Sequence, residues 1–258
     1  VEDNAINVEV ALQLLNGVGL WVEVAENGRL GVEKAASGEF DLVLMDMQMP
    51  EMGGIEAARA IRQLPGWQSK PIIAMTANAF DDDRAACLAA GMNDFIAKPV
   101  DPDRMYSVIL KWLPQRAIQT AVAGTAVAAA QPAHTPSTNE LILTRLAATP
   151  GVDLGRGLLV VRNRTGQYLQ LLQLLVDSNE KGISSLRASV ESADWEAAER
   201  TTHGLKGTAG NLGMVGMYEL AREMNGLIRA RNFDVQRVTA LLEDLEASHR
   251  EIARAIQG

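Results

Sequence analysis

The chain has 258 residues, 47% of them apolar and only 4% aromatic, with a net charge of −8. That is enough for two modest domains with aliphatic cores, and too few rings for the stacking platforms that hold single-stranded nucleic acid. The first 114 residues carry 9 Lys/Arg against 17 Asp/Glu and the rest is neutral, so nucleic acid is not an expected partner of either part.

Cys87 is the single cysteine, which allows no internal disulfide and suits a reducing, cytoplasmic setting. No signal peptide and no run long enough to span a bilayer is legible, so no membrane segment is expected in this stretch. The chain opens on Val1-Glu2-Asp3 without an initiator methionine. An acidic pair of this kind needs a strand to hold it, and Val1 reads as the last residue of a strand whose earlier part is missing from the fragment.

From 5 to 113 helix and strand patterns alternate. Residues 5–16 read as a helix with Ile6, Val10 and Leu14 on one stripe. Residues 21–25 read as a short strand, and 28–37 as a helix that stops at Gly38. The apolar run 40–45 has the composition of a strand buried on both faces. Then come a helix over 54–64, a strand over 71–75, a helix over 81–90, a strand over 94–97 and a helix over 102–112. Such alternation predicts an α/β domain, a doubly wound parallel sheet covered by helices, over 1–113.

Residues 114–138, rich in Ala, Pro and Ser/Thr, read as a flexible linker, and His134 there as solvated. From 139 to 258 no strand pattern remains. A short helix over 139–148 is broken at Pro150-Gly151, and Asp153 is placed to cap a further turn or helix. Long amphipathic patterns cover 165–192, with a kink expected near Gly182, then 195–212 after the cap Asp194, 214–231 and 234–256. They predict an all-α four-helix bundle.

In an open parallel sheet, ligands bind beyond the carboxyl ends of the strands. Glu2-Asp3, Asp46, Thr76 and Lys98 all fall at such ends. Carboxylates gathered there repel one another, and a divalent cation with a preference for hard oxygen ligands, Mg²⁺, relieves this. Thr76 can donate to a phosphoryl oxygen, Lys98 offers a point charge, and Pro99 fixes the turn after it.

The ordered set Val1-Glu2-Asp3-Asn4, Leu44-Met45-Asp46-Met47-Gln48-Met49-Pro50, Ala74-Met75-Thr76-Ala77 and Ile96-Ala97-Lys98-Pro99 resembles the response-regulator receiver domain. The resemblance implies a flavodoxin-like, five-stranded sheet in the order 2-1-3-4-5, here with its first strand missing. It implies Asp46 as phosphoacceptor. Glu2, Asp3, Asp46 and the backbone carbonyl of Gln48 would hold Mg²⁺, Thr76 and Lys98 would touch the phosphoryl group, and Phe95 would occupy the aromatic switch position. Cys87 and the cluster Met45, Met47, Met49 and Met52 read as packing.

His203 lies in mid-helix with Gly207 at i+4 and Gly210 at i+7 on one face. Glycine in a helix interior costs about 1 kcal/mol against alanine. A cleared face that exposes the imidazole to another protein surface is a compensating reason. Lys206, at i+3, can balance the charge of a phosphorylated imidazole. His249, among polar neighbours, reads as a solvated helix residue. The motif His203-Gly204-Leu205-Lys206-Gly207 with Asn211-Leu212-Gly213 resembles the histidine phosphotransfer (HPt) domain over 139–258. That implies a bundle whose His203 is phosphorylated by a receiver aspartate.

An aspartate and a histidine acceptor in one chain predict a two-component phosphorelay. An upstream histidine kinase domain, in the same parent chain or another, would load Asp46. His203 would take the group next and deliver it to a downstream response regulator. The order resembles the C-terminal part of a hybrid sensor histidine kinase, whose parent could be anchored in the inner membrane. No ATP-binding kinase core is legible in this stretch. The alternatives are a phosphorylation-controlled binding module and a phosphate sink draining a regulator.

Overall fold

The computed structural model describes residues 1–76, 81–113, 138–231 and 234–258. The chain divides into two compact units, Val1–Ala128 and Ala129–Gly258. The linker expected at 114–138, with His134, lies outside the described residues except for Thr138, which starts a helix.

In the first unit, α1 (Ala5–Asn16), α2 (Gly28–Ser37), β1 (Val43–Asp46), α3 (Gly54–Arg62), β2 (Ile72–Thr76), α4 (Asp81–Ala89), β3 (Asp94–Ala97) and α5 (Pro102–Trp112) follow one another. Polar residues set the helix starts. Asn4 caps α1, Asn27 caps α2, and Asp101 caps α5 with Pro102 in the first turn. The three strands form a parallel sheet in the order β1-β2-β3, flavodoxin-like in character, and every residue of the central β2 is buried. Met45, Ile61, Trp67 and Ile72 lie at the centre of its core, and the Trp67 indole N–H donates to the Ala35 carbonyl at 2.8 Å.

The strand expected at 21–25 does not form: among the described residues the sheet has three strands, not the four that the sequence patterns predict. The reason is visible at the chain start. Val1 and Glu2 lie between segment 21–25 and β1. The Val1 amino group donates to the Leu44 carbonyl (2.7 Å), the Asp46 N–H to the Val1 carbonyl (3.0 Å), and the Glu2 N–H to the Ala25 carbonyl (3.0 Å). Two residues are too short to carry a ladder to 21–25. Beyond them a groove of about 360 Å³ opens, lined among others by Val22, Val24, Leu44 and Ile109.

In the second unit, α6 (Thr138–Ala148) and α7 (Leu154–Val160) precede four long helices: α8 (Thr165–Glu191), α9 (Trp195–Asn211), α10 (Val215–Ala230) and α11 (Val235–Gln257). Asp153 and Asp194 cap α7 and α9 as expected, whereas α8 continues as one helix through Gly182. Leu172, Leu175, Leu186 and Leu245 are fully buried, and each such side chain is worth roughly 1.5–3 kcal/mol against exposure.

The turn between α9 and α10 is clamped by backbone. The Asp153 N–H donates to the Gly213 carbonyl (2.7 Å) and the Gly216 N–H to the Gly151 carbonyl (2.9 Å). The buried Tyr168 hydroxyl donates to the Leu212 carbonyl at 2.8 Å, and burial pushes its pKa upward. Gly213 has a φ of +77°, and a Cβ there would overlap the Asp153 carbonyl oxygen.

Gly213→Ala should therefore destabilise the second unit by about 2–4 kcal/mol, from a left-handed residue and a backbone overlap together. Gly226→Ala, on α10 with nothing within 4 Å of the added methyl, should instead stabilise it by up to about 1 kcal/mol. Urea unfolding of the two variants should move the midpoint in opposite directions.

Candidate functional site: a buried aspartate and a helical histidine

Parallel strands bring their carboxyl ends to one edge. Asp46 pairs in register with Met75, Thr76 with Ala97, and the Lys98 N–H donates to the Thr76 carbonyl at 2.6 Å. Asp46, Thr76 and Lys98 therefore meet at that edge, 3%, 6% and 5% exposed. The bond from the Asp46 N–H to the Val1 carbonyl brings Glu2 and Asp3 to the same edge.

The Lys98 Nζ lies 2.8 Å from Asp46 Oδ2 and 2.6 Å from Glu2 Oε2, forming a buried ion triad. The ligand oxygens of Glu2, Asp3 and Asp46 all fall within 4.8 Å of one another. Three carboxylates so close make a hard-oxygen donor set able to hold a divalent cation.

Burial raises the Glu2 pKa and outweighs Lys98, with Asp46 adding to the rise. Asp3, the exposed member, is also raised, by partial desolvation and by Glu2. For Lys98, burial pulls the pKa down, but Asp46 and Glu2 together hold it above the usual lysine value.

The loop after β1 is packed tightly. A Cβ at Gly54 would overlap the Asp46 carbonyl. The exposed Gln48 turns its N–H toward Asp46 Oδ1 at 3.4 Å. The peptide between Lys98 and Pro99 is cis. Phe95 is half-buried on β3, with the Arg84 guanidinium 5.1 Å from its ring centroid. Cys87 is buried and Met47, Met49 and Met52 pack against its cluster, so the packing reading of these residues holds.

His203 sits in the middle of α9 and is half-buried. Lys206, Gly207 and Gly210 are all buried. The glycine positions on this face are thus buried rather than open, and the imidazole beside them is half-buried. Just before it, the fully buried Thr202 hydroxyl donates to the Ala198 carbonyl (2.8 Å). Asn225, from α10, donates to both Thr202 Oγ1 and the Glu199 carbonyl at 3.0 Å. His249 is also corrected, since it is half-buried with Nε2 3.1 Å from the Val176 carbonyl, a bond between α11 and α8.

Two contributors carry no motif in the sequence: Asn7, which donates to Glu2, and Asn225. Each is an amide on the apolar stripe of its helix, beside Ile6 and Val10 or Met224 and Ile228. A buried polar group at such a position requires a partner, and that is the one signal that could have found them.

A parallel sheet with a carboxylate triad at its carboxyl edge, and a helical bundle presenting a histidine, define a pair of phosphoryl-transfer modules. Family models match both: response regulator receiver domain over residues 1–110, and Hpt domain over residues 170–256. The chain carries a receiver domain followed by an Hpt domain, and the pair belongs to two-component phosphorelay signalling.

The chain is 29% identical over 259 residues to the signal transduction histidine-protein kinase BarA of Escherichia coli K12, covering 99% of this chain and 27% of that protein. It is 29% identical over 213 residues to the sensor histidine kinase GacS of Pseudomonas protegens, covering 80% of this chain and 21% of that one. The chain thus spans about a quarter of the length of these relatives. Among solved structures, the receiver domain of the sensor histidine kinase PA1611 from Pseudomonas aeruginosa, described with magnesium in its active-site cleft, is 38% identical. It covers 43% of this chain and 92% of its own, with a TM-score of 0.42. No helix among the described residues is long and apolar enough to cross a membrane.

Lys98→Met should destabilise the first unit by about 3–5 kcal/mol at pH 7, because two buried carboxylates lose their counter-ion. The loss should shrink at pH 4.5. Glu2, already raised, then takes up a proton in the folded state before the unfolded chain does, and protonation favours folding as pH falls. Urea titrations at the two pH values check both sign and size.

Proposed function

We propose that Asp46 accepts a phosphoryl group from a histidine of an upstream kinase and passes it to His203 for delivery to a response regulator. The observation that carries this reading is the Lys98 ammonium held between Asp46 and Glu2 at the carboxyl edge of the sheet, in a chain whose second unit places His203 on a bundle helix.

In the first transfer, an Asp46 carboxylate oxygen bonds to phosphorus. The P–N bond to the donor imidazole breaks, and that imidazole keeps the electron pair and takes up a proton from solvent. In the second, the His203 imidazole bonds to phosphorus and gives up its ring proton to solvent while the P–O bond to Asp46 breaks, which restores the carboxylate. Lys98 and Thr76 contact the phosphoryl oxygens in line with their place at the site. Lys206, one turn from His203, balances the charge of the phosphorylated ring. Most of the work is positioning and charge neutralisation.

Glu2, Asp3, Asp46 and the Gln48 carbonyl are the proposed ligands of Mg²⁺. The donor set fits, since three carboxylates converge and burial holds two of them above their usual pKa. The ion, when bound, neutralises charge on the incoming phosphoryl group. Phe95, half-buried under Arg84, is the proposed switch that reports the state of Asp46. The proposed boundaries are receiver 1–113, linker 114–138 and Hpt 139–258. The likeness to histidine kinases supports a kinase domain upstream and a response regulator downstream as partners.

Radiolabelled acetyl phosphate with Mg²⁺ should label the chain first at a base-labile acyl phosphate and then at an acid-labile phosphohistidine. Asp46→Asn should remove both labels, His203→Gln only the second, and EDTA should prevent the first. A His203→Gln chain that still passes label to a regulator would sink the proposed order.

A further inference from the structure

We propose that Asn7 is a positioning residue for the carboxylate site, its amide holding the Glu2 carboxylate in the orientation a cation needs. The inference rests on the reading of Glu2, Asp3 and Asp46 as a cation site.

The Asn7 Nδ2 donates to Glu2 Oε1 at 2.7 Å in a buried contact, while the Lys98 Nζ donates to Glu2 Oε2 at 2.6 Å. Each Glu2 oxygen thus has its own donor, and each keeps lone-pair capacity for a metal ion, since a carboxylate offers about four acceptor sites. The two donors differ in their other duties. Lys98 is shared with Asp46 at 2.8 Å, and a phosphoryl group on Asp46 gives the ammonium new acceptors. Asn7 is anchored through its backbone N–H to the Asn4 cap of α1.

Asn4 Oδ1 caps α1 by accepting from the N–H groups of Ile6 (3.0 Å) and Asn7 (3.3 Å). This cap turns the chain from Glu2 into the helix and brings the third helical residue back over the carboxylate. Asn7 is 6% exposed and shares the buried stripe with Ile6, Val10 and Leu14. A buried amide without a use costs stability, and the use here is Glu2. Partners that orient metal-binding carboxylates typically contribute about 10–100-fold in metal affinity.

The test is Mg²⁺ binding to the full chain by isothermal titration calorimetry, with melting in EDTA as a second readout. Asn7→Leu keeps volume and helix but removes the donor. Its Mg²⁺ affinity should fall by about 10-fold or more, and metal-free melting should fall as well, since the buried Glu2 carboxylate loses a donor. Asn7→Gln, which keeps a donor on a longer stem, should bind more tightly than Asn7→Leu. Should Asn7→Leu fail to fold, Asn7→Ser, whose shorter side chain does not reach Glu2, takes its place. Unchanged Mg²⁺ affinity, whatever the melting temperature, would mean a purely structural role and overturn the proposal. If the unsubstituted chain binds no Mg²⁺, the cation reading itself fails and this inference with it.

Discussion

The Lys98 ammonium, buried between Asp46 and Glu2, is the interaction that holds together the carboxyl edge of the first unit's sheet. Its carboxylate partners come from chain segments more than forty residues apart, and only a parallel sheet brings them to one edge. Removing water from three charges is expensive, and it is tolerated only with close pairing and further hydrogen bonds. Asn7 on Glu2 and the Gln48 N–H facing Asp46 supply some of those bonds. Desolvation by burial raises the pKa of both Glu2 and Asp3 despite these bonds.

The second unit solves a different problem. Its histidine sits in the middle of a long helix. Rigidity comes from both ends of the histidine helix. Near His203, the Asn225 amide ties α10 to the turn that carries Thr202. At the far end, Gly213, Gly157 and Gly151 let the backbone of the preceding short helices close on the α9–α10 turn. Those short helices precede residues 170–256, which match the Hpt family model, so the clamp on the turn is built in part by chain that the family model does not cover.

Much of the fold is legible in the sequence because each element carries its own local signal. Helix α1 is bounded by Asn4 and a stripe of Ile6, Val10 and Leu14, and its expected and observed limits agree to the residue; so do those of β3. Segment 21–25 has the apolar content of a strand, yet strand formation is a property of a pair, and among the described residues its one backbone bond of this kind is from the Glu2 N–H to the Ala25 carbonyl. His249 misleads for a related reason. Its sequence neighbours are polar, but its bond partner is the Val176 carbonyl on another helix, 73 positions away. The glycines near His203 stand out correctly in the sequence, but for a different reason than exposure. Small residues on a helix permit close packing just as readily, and Gly207 and Gly210 are buried.

The amino-acid sequence by itself determined the two modules, the order of their helices and most of their strands, and the candidacy of Asp46 and His203 as acceptors. Those depend on short-range periodicity and on motifs whose residues lie a few positions apart. Only the tertiary structure decided which donor holds which oxygen. Asn7 rather than another amide faces Glu2, Lys98 divides itself between two carboxylates, and Asn225 reaches the carbonyl of Glu199. Such pairings depend on distances of under about 3.5 Å between atoms of residues far apart in sequence, and no local pattern encodes them.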